Sequence, residues 1–150
     1  MAKAAAQAGL DVRGKYFYHV SGSAGLDELA PLKALGAETG SLHPLQSFAA
    51  PVKSLAGIGM AVDGSAKAQE LGFKMARLLG AAAFKVPQKE RALYHAAACF
   101  CSNFTVTVTA LAEKLLLRWT DDEETAHRLL VPLLAGTAAN LASAENAARR

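Results

Sequence analysis

Short apolar runs and amphipathic stretches alternate along the first half of the chain. Four short segments have the apolar, aromatic or β-branched content of strands and end at turn formers or prolines: Lys15 to Val20, Ala37 to Leu42, Gly57 to Val62 and Ala81 to Val86. Between them, Leu26 to Leu35 and Ala66 to Leu79 place apolar residues at helical spacing. This alternation predicts an α/β fold whose sheet is parallel or mostly parallel and is covered by helices.

Smaller features refine the first half. Ala2 to Leu10 is rich in alanine and predicts a helix. His43-Pro44 predicts the end of the second strand, because proline cannot donate to the ladder. Phe48 to Leu55 reads as a loop, and Asp63-Gly64-Ser65 reads as a turn with a helix cap.

From Gln88 onward the pattern is helical only. Three helices are predicted. The first is long and apolar and spans Arg91 to Trp119, and the last spans Ala138 to Arg150. The middle helix follows the capping-box sequence Thr120 to Glu123 and reaches about Ala135, with Pro132 as a kink or a new start. Phe104 to Thr109 alternates Thr and Val as a strand would, but its flanks favour helix. We therefore predict an α/β domain over residues 1–87 and an all-α domain over residues 88–150.

Composition and charge exclude some functions. A chain of 150 residues can bury a useful core, and its alanine content favours closely packed helices. The net charge of +3 is scattered along the chain, which does not indicate nucleic-acid binding. Ala96 to Leu117 is apolar but contains Ser102, Asn103, Glu113 and Lys114, which favours a helix buried in a soluble protein over a membrane span. Without the apolar core of a signal peptide near Met1, we expect a cytoplasmic protein.

The two cysteines, Cys99 and Cys101, are expected to be buried, reduced thiols. Two residues apart on a helix, their side chains point about 200° apart and cannot pair. His95 and Cys99, spaced i and i+4, could hold half a metal site, with His127 as a third ligand. No second pair with ligand spacing exists, so we predict no metal site.

Polar residues follow two of the predicted strands. In an open α/β sheet the ligand crevice lies beyond the carboxyl ends of the strands. His19 to Ser23 follows the first strand, with Ser21 and Ser23 as hydroxyl groups and Gly22 as a point of close backbone approach, and His43 to Gln46 follows the second. His43 could act as an acid or base, or bind an anion. Equally, Ser-Gly-Ser could be a plain turn and His43 a residue that ends a strand.

The long predicted helix carries a polar stripe. Arg91, His95 and Ser102 share one face, and Asn103 lies beside it. Such a stripe needs partners, either in a cleft against the sheet or through internal hydrogen bonds. The sequence contains no phosphate-binding or zinc-protease motif and no G-x-G-x-x-G between a strand and a helix.

Several short motifs occur in an order that resembles one family. They are Ser21-Gly22, Gly40-Ser41-Leu42-His43-Pro44-Leu45-Gln46-Ser47-Phe48, Ala92-Leu93-Tyr94-His95-Ala96-Ala97-Ala98, Ser102-Asn103-Phe104 and Pro132-Leu133-Leu134-Ala135-Gly136-Thr137. In this order they resemble the Rossmann-like proteins that carry the domain of unknown function 2520, relatives of pyrroline-carboxylate reductase and 6-phosphogluconate dehydrogenase. The resemblance covers nearly the whole chain. Arg91 departs from it, because the family generally has lysine there.

The resemblance implies a partial Rossmann-like sheet followed by a helical domain of the 6-phosphogluconate-dehydrogenase type that often forms dimers. It also implies that the chain is truncated at both ends and lacks the glycine-rich loop that binds the pyrophosphate of NADP or NAD. Activity of this chain alone is therefore not expected. The catalytic residues would be His43, His95, Ser102 and Asn103, and the cofactor-binding residues Ser21, Gly22, Ser23 and Pro44.

Two functions follow as hypotheses. The first is part of an NAD(P)-dependent oxidoreductase that acts on an unknown small molecule and forms a homodimer through its helices. The second is a non-catalytic helical module for dimerisation or partner binding that does not bind a cofactor. No nucleic acid or membrane partner is expected.

Overall fold

The computed structural model describes residues 2–143, and contacts along the chain divide it into two compact units, Met1–Cys99 and Phe100–Arg150. The division falls within a helix, so most of that helix packs with the sheet. The assignment of family domains to residues 1–87 and 88–150 stays a prediction.

A four-stranded sheet forms the centre of the first unit. Its strands stand in the order of the chain: β1 (Tyr16–His19), β2 (Glu38–Pro44), β3 (Gly59–Gly64) and β4 (Ala82–Lys85). β1 pairs with β2 in parallel and β3 with β4 in parallel, whereas β2 and β3 are antiparallel. The predicted α/β fold with a mostly parallel sheet is confirmed. The antiparallel pair arises because residues 45–58 form no helix that could serve as a crossover.

The second strand is longer than predicted. His43 and Pro44 do not end it but pair with Ala61 and Met60 of β3. Proline is tolerated there because the pairing with β1 has already ended at Ser41, so no neighbouring strand needs the missing amide hydrogen. His43 is therefore held by a strand rather than by a loop.

Helices cover both faces of the sheet. On one face lies α3 (Ala66–Leu78), whose start is capped by Ser65 through a hydrogen bond from the Ala68 amide. Gly72 of α3 allows close packing on Val62, since a Cβ there would stand 2.9 Å from a Val62 methyl carbon. The core on this side comprises Met60, Val62, Ala76 and Ala81.

The other elements of the first unit include a second, smaller core. α1 (Ala2–Gln7) packs on α2 (Ala30–Ala34), which follows a 3-10 turn at Leu26–Leu29. Buried residues join these elements to the sheet: Val12, Leu29, Leu32 and Ala37. The predicted helix over Leu26 to Leu35 thus forms in two parts, with Pro31 in the first turn of the second.

The chain after β4 is helical, as predicted. A 3-10 turn at Gln88–Glu90 leads into α4 (Arg91–Cys101), α5 (Asn103–Leu116) and α6 (Glu123–Ala142). The single helix predicted over Arg91 to Trp119 is divided at Ser102, a turn residue with a φ of −112° and a ψ of −74°, and it ends at Leu116. The choice of helix for Phe104 to Thr109 is confirmed. Threonine hydroxyls there donate to carbonyls four residues earlier, for example from Thr109 to Thr105, which satisfies them within the helix.

The last described helix also differs from the prediction. α6 is continuous through Pro132, and Asp122 rather than Thr120 caps it by accepting a hydrogen bond from the Thr125 amide. The separate helix predicted over Ala138 to Arg150 is therefore wrong up to Ala142, and residues 144–150 lie outside the described part of the chain.

The apolar helical stretch is exposed within this chain. Leu93, Phe100 and Leu111 are 76%, 65% and 57% exposed, so the expectation that this stretch is buried is wrong for the single chain. By length and composition alone, the helical segment Gln88–Leu116 could cross a membrane. The break at Ser102 and the charged pair Glu113 and Lys114 fall within it. Exposure of so much apolar surface to water is unfavourable, so this surface is expected to pack against another apolar surface.

Candidate functional site

The candidate site lies in the first unit, on the face of the sheet opposite α3. His19 of β1 is the register partner of Ser41 in β2, and His43 lies two residues further along. Because side chains alternate along a strand, Ser41 and His43 project from the same face. The neighbouring strand adds Asp63, the register partner of Ser41.

Arg91 connects this face to the start of α4. It is 2% exposed, and its Nη1 donates to the carbonyl oxygens of Ser21, Gly22 and Ala24 at 2.9, 3.4 and 3.3 Å. Its Nη2 donates to the hydroxyl of Ser41. A buried guanidinium that forms no ion pair within 4.0 Å among residues 2–143 is unusual, since buried charges are ordinarily paired.

Tyr94 is the partner of His43. Its hydroxyl lies 2.5 Å from His43 Nδ1, and its ring makes edge contacts with the His43 and Phe84 rings. No role is predicted for Tyr94 from the sequence. Its spacing could have suggested one, because Tyr94 follows Arg91 by three residues and therefore lies on the same side of α4.

Gly22 lies between two imidazoles. A Cβ at this position would stand 2.8 Å from His43 Nε2 and 3.0 Å from His95 Nδ1, so these two nitrogen atoms are within about 6 Å of each other. His43 and His95, far apart in the sequence, therefore converge as expected. Glycine is required there because any side chain would displace one of the rings.

Burial and neighbouring positive charge favour the neutral forms of His43 and His19. Burial lowers the pKa of His43, and the charges of Arg91, His95 and His19 lower it further. Burial also lowers the pKa of His19, again with a contribution from Arg91. The pKa of Tyr94 is raised by burial, an effect that Arg91 opposes. At neutral pH, His43 and Tyr94 are thus an uncharged pair that shares one hydrogen bond.

The turn after β1 uses most of its polar groups within the chain. Ser21 Oγ accepts a hydrogen bond from the Ala24 amide at 3.0 Å, and the carbonyls of Ser21 and Gly22 accept from Arg91. Ser23 is exposed. The cofactor-binding role of Ser21, Gly22, Ser23 and Pro44 stays a prediction.

The other predicted residues lie apart in the chain. Ser102 and Asn103 belong to the second unit, and their catalytic role stays a prediction. Cys99 is half-buried, with its Sγ 3.6 Å from His95 Nε2, whereas Cys101 is exposed, so the expectation that both thiols are buried is wrong for Cys101. Two residues along a helix rotate the side-chain direction by about 200°, so the two thiols point to opposite sides of α4.

Metal ligands do not cluster among residues 2–143. No group of three histidine, cysteine or acidic side chains in this range could hold a metal ion. The Nδ1 of His127, considered above as a third ligand, lies 2.6 Å from Glu113 Oε1 within the second unit.

A family comparison assigns the chain. The sequence profile of the domain of unknown function DUF2520 matches residues 58–149, which is more than half of the chain. The chain belongs to the DUF2520 family. A search of curated protein sequences finds no match.

Solved structures have the same fold. A proposed NADP oxidoreductase from Bacteroides fragilis is 22% identical, with a TM-score of 0.68 over 87% of this chain and 49% of that one. A protein from Thermotoga maritima is 27% identical, with a TM-score of 0.66 over 86% of this chain and 50% of that one. The pyrroline carboxylate reductase of Plasmodium falciparum, solved with NADP bound, is 8% identical, with a TM-score of 0.61 over 87% and 52%. This DUF2520 chain therefore has a Rossmann-like fold and spans about half the length of these proteins.

Proposed function

We propose that this DUF2520 chain supplies the proton-transfer groups of a cytoplasmic, NADP- or NAD-dependent oxidoreductase that acts on a small molecule. The observation that carries the proposal is the hydrogen bond between His43 and Tyr94, placed beside Arg91 and His95 at the end of the sheet. The fold shared with an NADP-bound reductase supports it. Ligands of open α/β sheets bind at the same end of the strands.

The pair has the chemistry that such a reaction needs. Reduction of a C=O or C=N bond adds a hydride to carbon and a proton to oxygen or nitrogen, and oxidation removes both. The lowered pKa keeps the His43 imidazole neutral at neutral pH, so one ring nitrogen carries a proton and the other has a lone pair that can accept one. When the Tyr94 hydroxyl donates to His43 Nδ1, the imidazole proton resides on Nε2, the nitrogen nearest Gly22 and His95.

The cofactor contacts predicted for Ser21, Gly22, Ser23 and Pro44 are a separate proposal, on which the His43–Tyr94 pair does not depend. His95, Ser102 and Asn103 remain candidates for holding the substrate. The proposal for this chain therefore concerns the substrate side of the reaction.

We predict that Tyr94→Phe lowers kcat about 100-fold, a typical contribution of a positioned acid or base. The substitution keeps the aromatic packing on Phe84 and removes only the hydroxyl that bonds His43. The assay follows NADPH and NADH oxidation with a panel of small carbonyl and imine compounds. KM is expected to change much less than kcat, because the hydroxyl acts on the proton.

Tyr16→Phe is the matched control, since Tyr16 is exposed on β1 and lies outside the site. It should leave kcat unchanged. A Tyr94→Phe variant with the kcat of the wild type would contradict the proposal for this chain.

The second hypothesis, a dimerisation module, is favoured by the second unit. Its helices expose apolar side chains along their length: Phe104, Val106, Val108, Leu111, Leu115, Leu129, Leu133 and Leu141. We propose that a second copy of the chain covers this surface, with or without catalysis, because a self-complementary apolar face is the usual basis of a homodimer. Light scattering should give twice the chain mass of 15.6 kDa. A monomer at high protein concentration would exclude the dimer.

A further inference from the structure

The buried nitrogen atoms that lack a protein partner are concentrated in one place. Among residues 2–143, the buried side-chain nitrogen and oxygen atoms without a hydrogen bond are His19 Nδ1, His19 Nε2, Arg91 Nε and His95 Nδ1. All belong to residues already linked by geometry or charge to His43. We call His19, His43, Arg91 and His95 the histidine–arginine cluster.

At least two of these atoms are hydrogen-bond donors. The Arg91 Nε always carries a hydrogen, and a neutral His19 carries one on one of its two ring nitrogens. A buried donor without an acceptor is unfavourable, so these donors call for acceptors that residues 2–143 do not provide. Donors beside a buried positive charge are complementary to an anionic oxygen.

We propose that the histidine–arginine cluster binds the carboxylate group of the small-molecule substrate. That the ligand is a substrate depends on the proposed function, whereas the preference for a carboxylate depends only on the cluster. One carboxylate oxygen would accept from Arg91 Nε–H, the one guanidinium nitrogen that is not engaged with the chain, and the other from an imidazole N–H of His19 or His95.

The charges around the cluster favour this ligand over a cation. Burial lowers the pKa values of Arg91 and His19, and the carboxylates of Asp63 and Glu28 oppose this effect from a distance. Neither forms a hydrogen bond or ion pair with the cluster within residues 2–143. The net positive charge of Arg91 is therefore not neutralised by direct contact, and a metal cation would be repelled.

Binding should be coupled to proton uptake. Arg91, His95 and His19 surround His43 from α4 and β1, while Tyr94, Asp63 and Glu28 complete the titratable neighbours. A bound anion offsets the repulsion that lowers the pKa values of His19 and His43, and so raises both. By linkage, the affinity for the anion rises as the pH falls toward the ordinary histidine pKa of 6.5.

The probe is sodium formate, the smallest carboxylate, titrated into the chain without any dinucleotide. Nuclear magnetic resonance of isotopically labelled histidine side chains follows the four imidazoles. We expect saturable shifts for His19, His43 and His95, tighter binding at mildly acidic than at slightly alkaline pH, and no shift for His127, which lies beside Glu113 in the second unit. Formamide, the neutral counterpart of formate, should cause no saturable shift.

His95→Gln should weaken formate binding about tenfold, the cost of roughly one hydrogen bond to a charged group. His127→Gln is the matched control and should leave the affinity unchanged. Absence of a saturable shift in the wild-type chain, equal responses to formate and formamide, or tighter binding of phosphate than of formate would overturn the proposal. Formate binding is measured without a dinucleotide, so its outcome is independent of the Tyr94→Phe kinetics that test the proposed oxidoreductase.

Discussion

Replacing Arg91 with alanine lowers the free energy of unfolding by about 3–5 kcal/mol, the range found when one partner of a buried charged network is removed. Arg91 is 2% exposed and donates to the carbonyls of Ser21, Gly22 and Ala24. Alanine leaves these carbonyls and the Ser41 hydroxyl without their donor, inside a cavity that the side chain had filled.

Urea unfolding followed by circular dichroism measures this effect. Arg77→Ala is the control, because Arg77 is exposed in the last turn of α3 and should cost less than about 0.5 kcal/mol. Arg91→Lys should fall between the two, since a lysine retains the charge but cannot reach four acceptors at once. A loss equal to that of Arg77→Ala would show that the buried guanidinium does not hold the turn to the sheet.

Gly64→Ala should destabilise the chain by about 3–4 kcal/mol, the sum of an unfavourable backbone angle and a steric clash. Gly64 has a φ of +147°, and a Cβ there would stand 2.6 Å from the Thr39 carbonyl oxygen and 2.8 Å from the Gly40 Cα. Both contacts are backbone atoms of the paired strand β2, so the clash cannot be relieved by rotating a side chain.

Gly57→Ala separates the two causes. Gly57 also has a positive φ, +79°, but a Cβ there meets nothing within 4 Å. Its cost should therefore be the backbone penalty alone, about 1–2 kcal/mol. Thermal unfolding of both variants measures the difference, and equal melting temperatures would mean that β2 and β3 can move apart at this point without cost.

The order of elements could be predicted from the sequence because each strand is short, apolar and bounded by turn residues. The direction of β3 was missed, although the sequence carried a signal for it. Parallel neighbours need a crossover connection, and residues 45–58, where a loop was predicted, have no helical periodicity that would provide one. The break at Ser102 was also missed, because the apolar pattern of α4 continues into α5 without a turn former.

The candidate site was predicted in part. In the sequence, His43 follows the apolar pattern of a strand and His95 lies within the apolar pattern of a helix, so both stand out as polar residues. Their approach around Gly22 depends on tertiary packing, which spacing alone does not give. Tyr94 and the burial of Arg91 were missed for the same reason, since a tyrosine or arginine on a helix is usually solvent-facing and only the sheet beneath it gives it a partner.

Tyr94 connects two strands that are not adjacent. Its hydroxyl bonds to His43 on β2 while its ring rests against Phe84 on β4, so the first turns of α4 are fastened at two separate points of the sheet. Protonation of His43 at Nδ1 removes the lone pair that accepts the hydrogen bond from the Tyr94 hydroxyl, so this contact between α4 and β2 must then change. The charge state of the His43 imidazole thereby affects how α4 packs on the sheet.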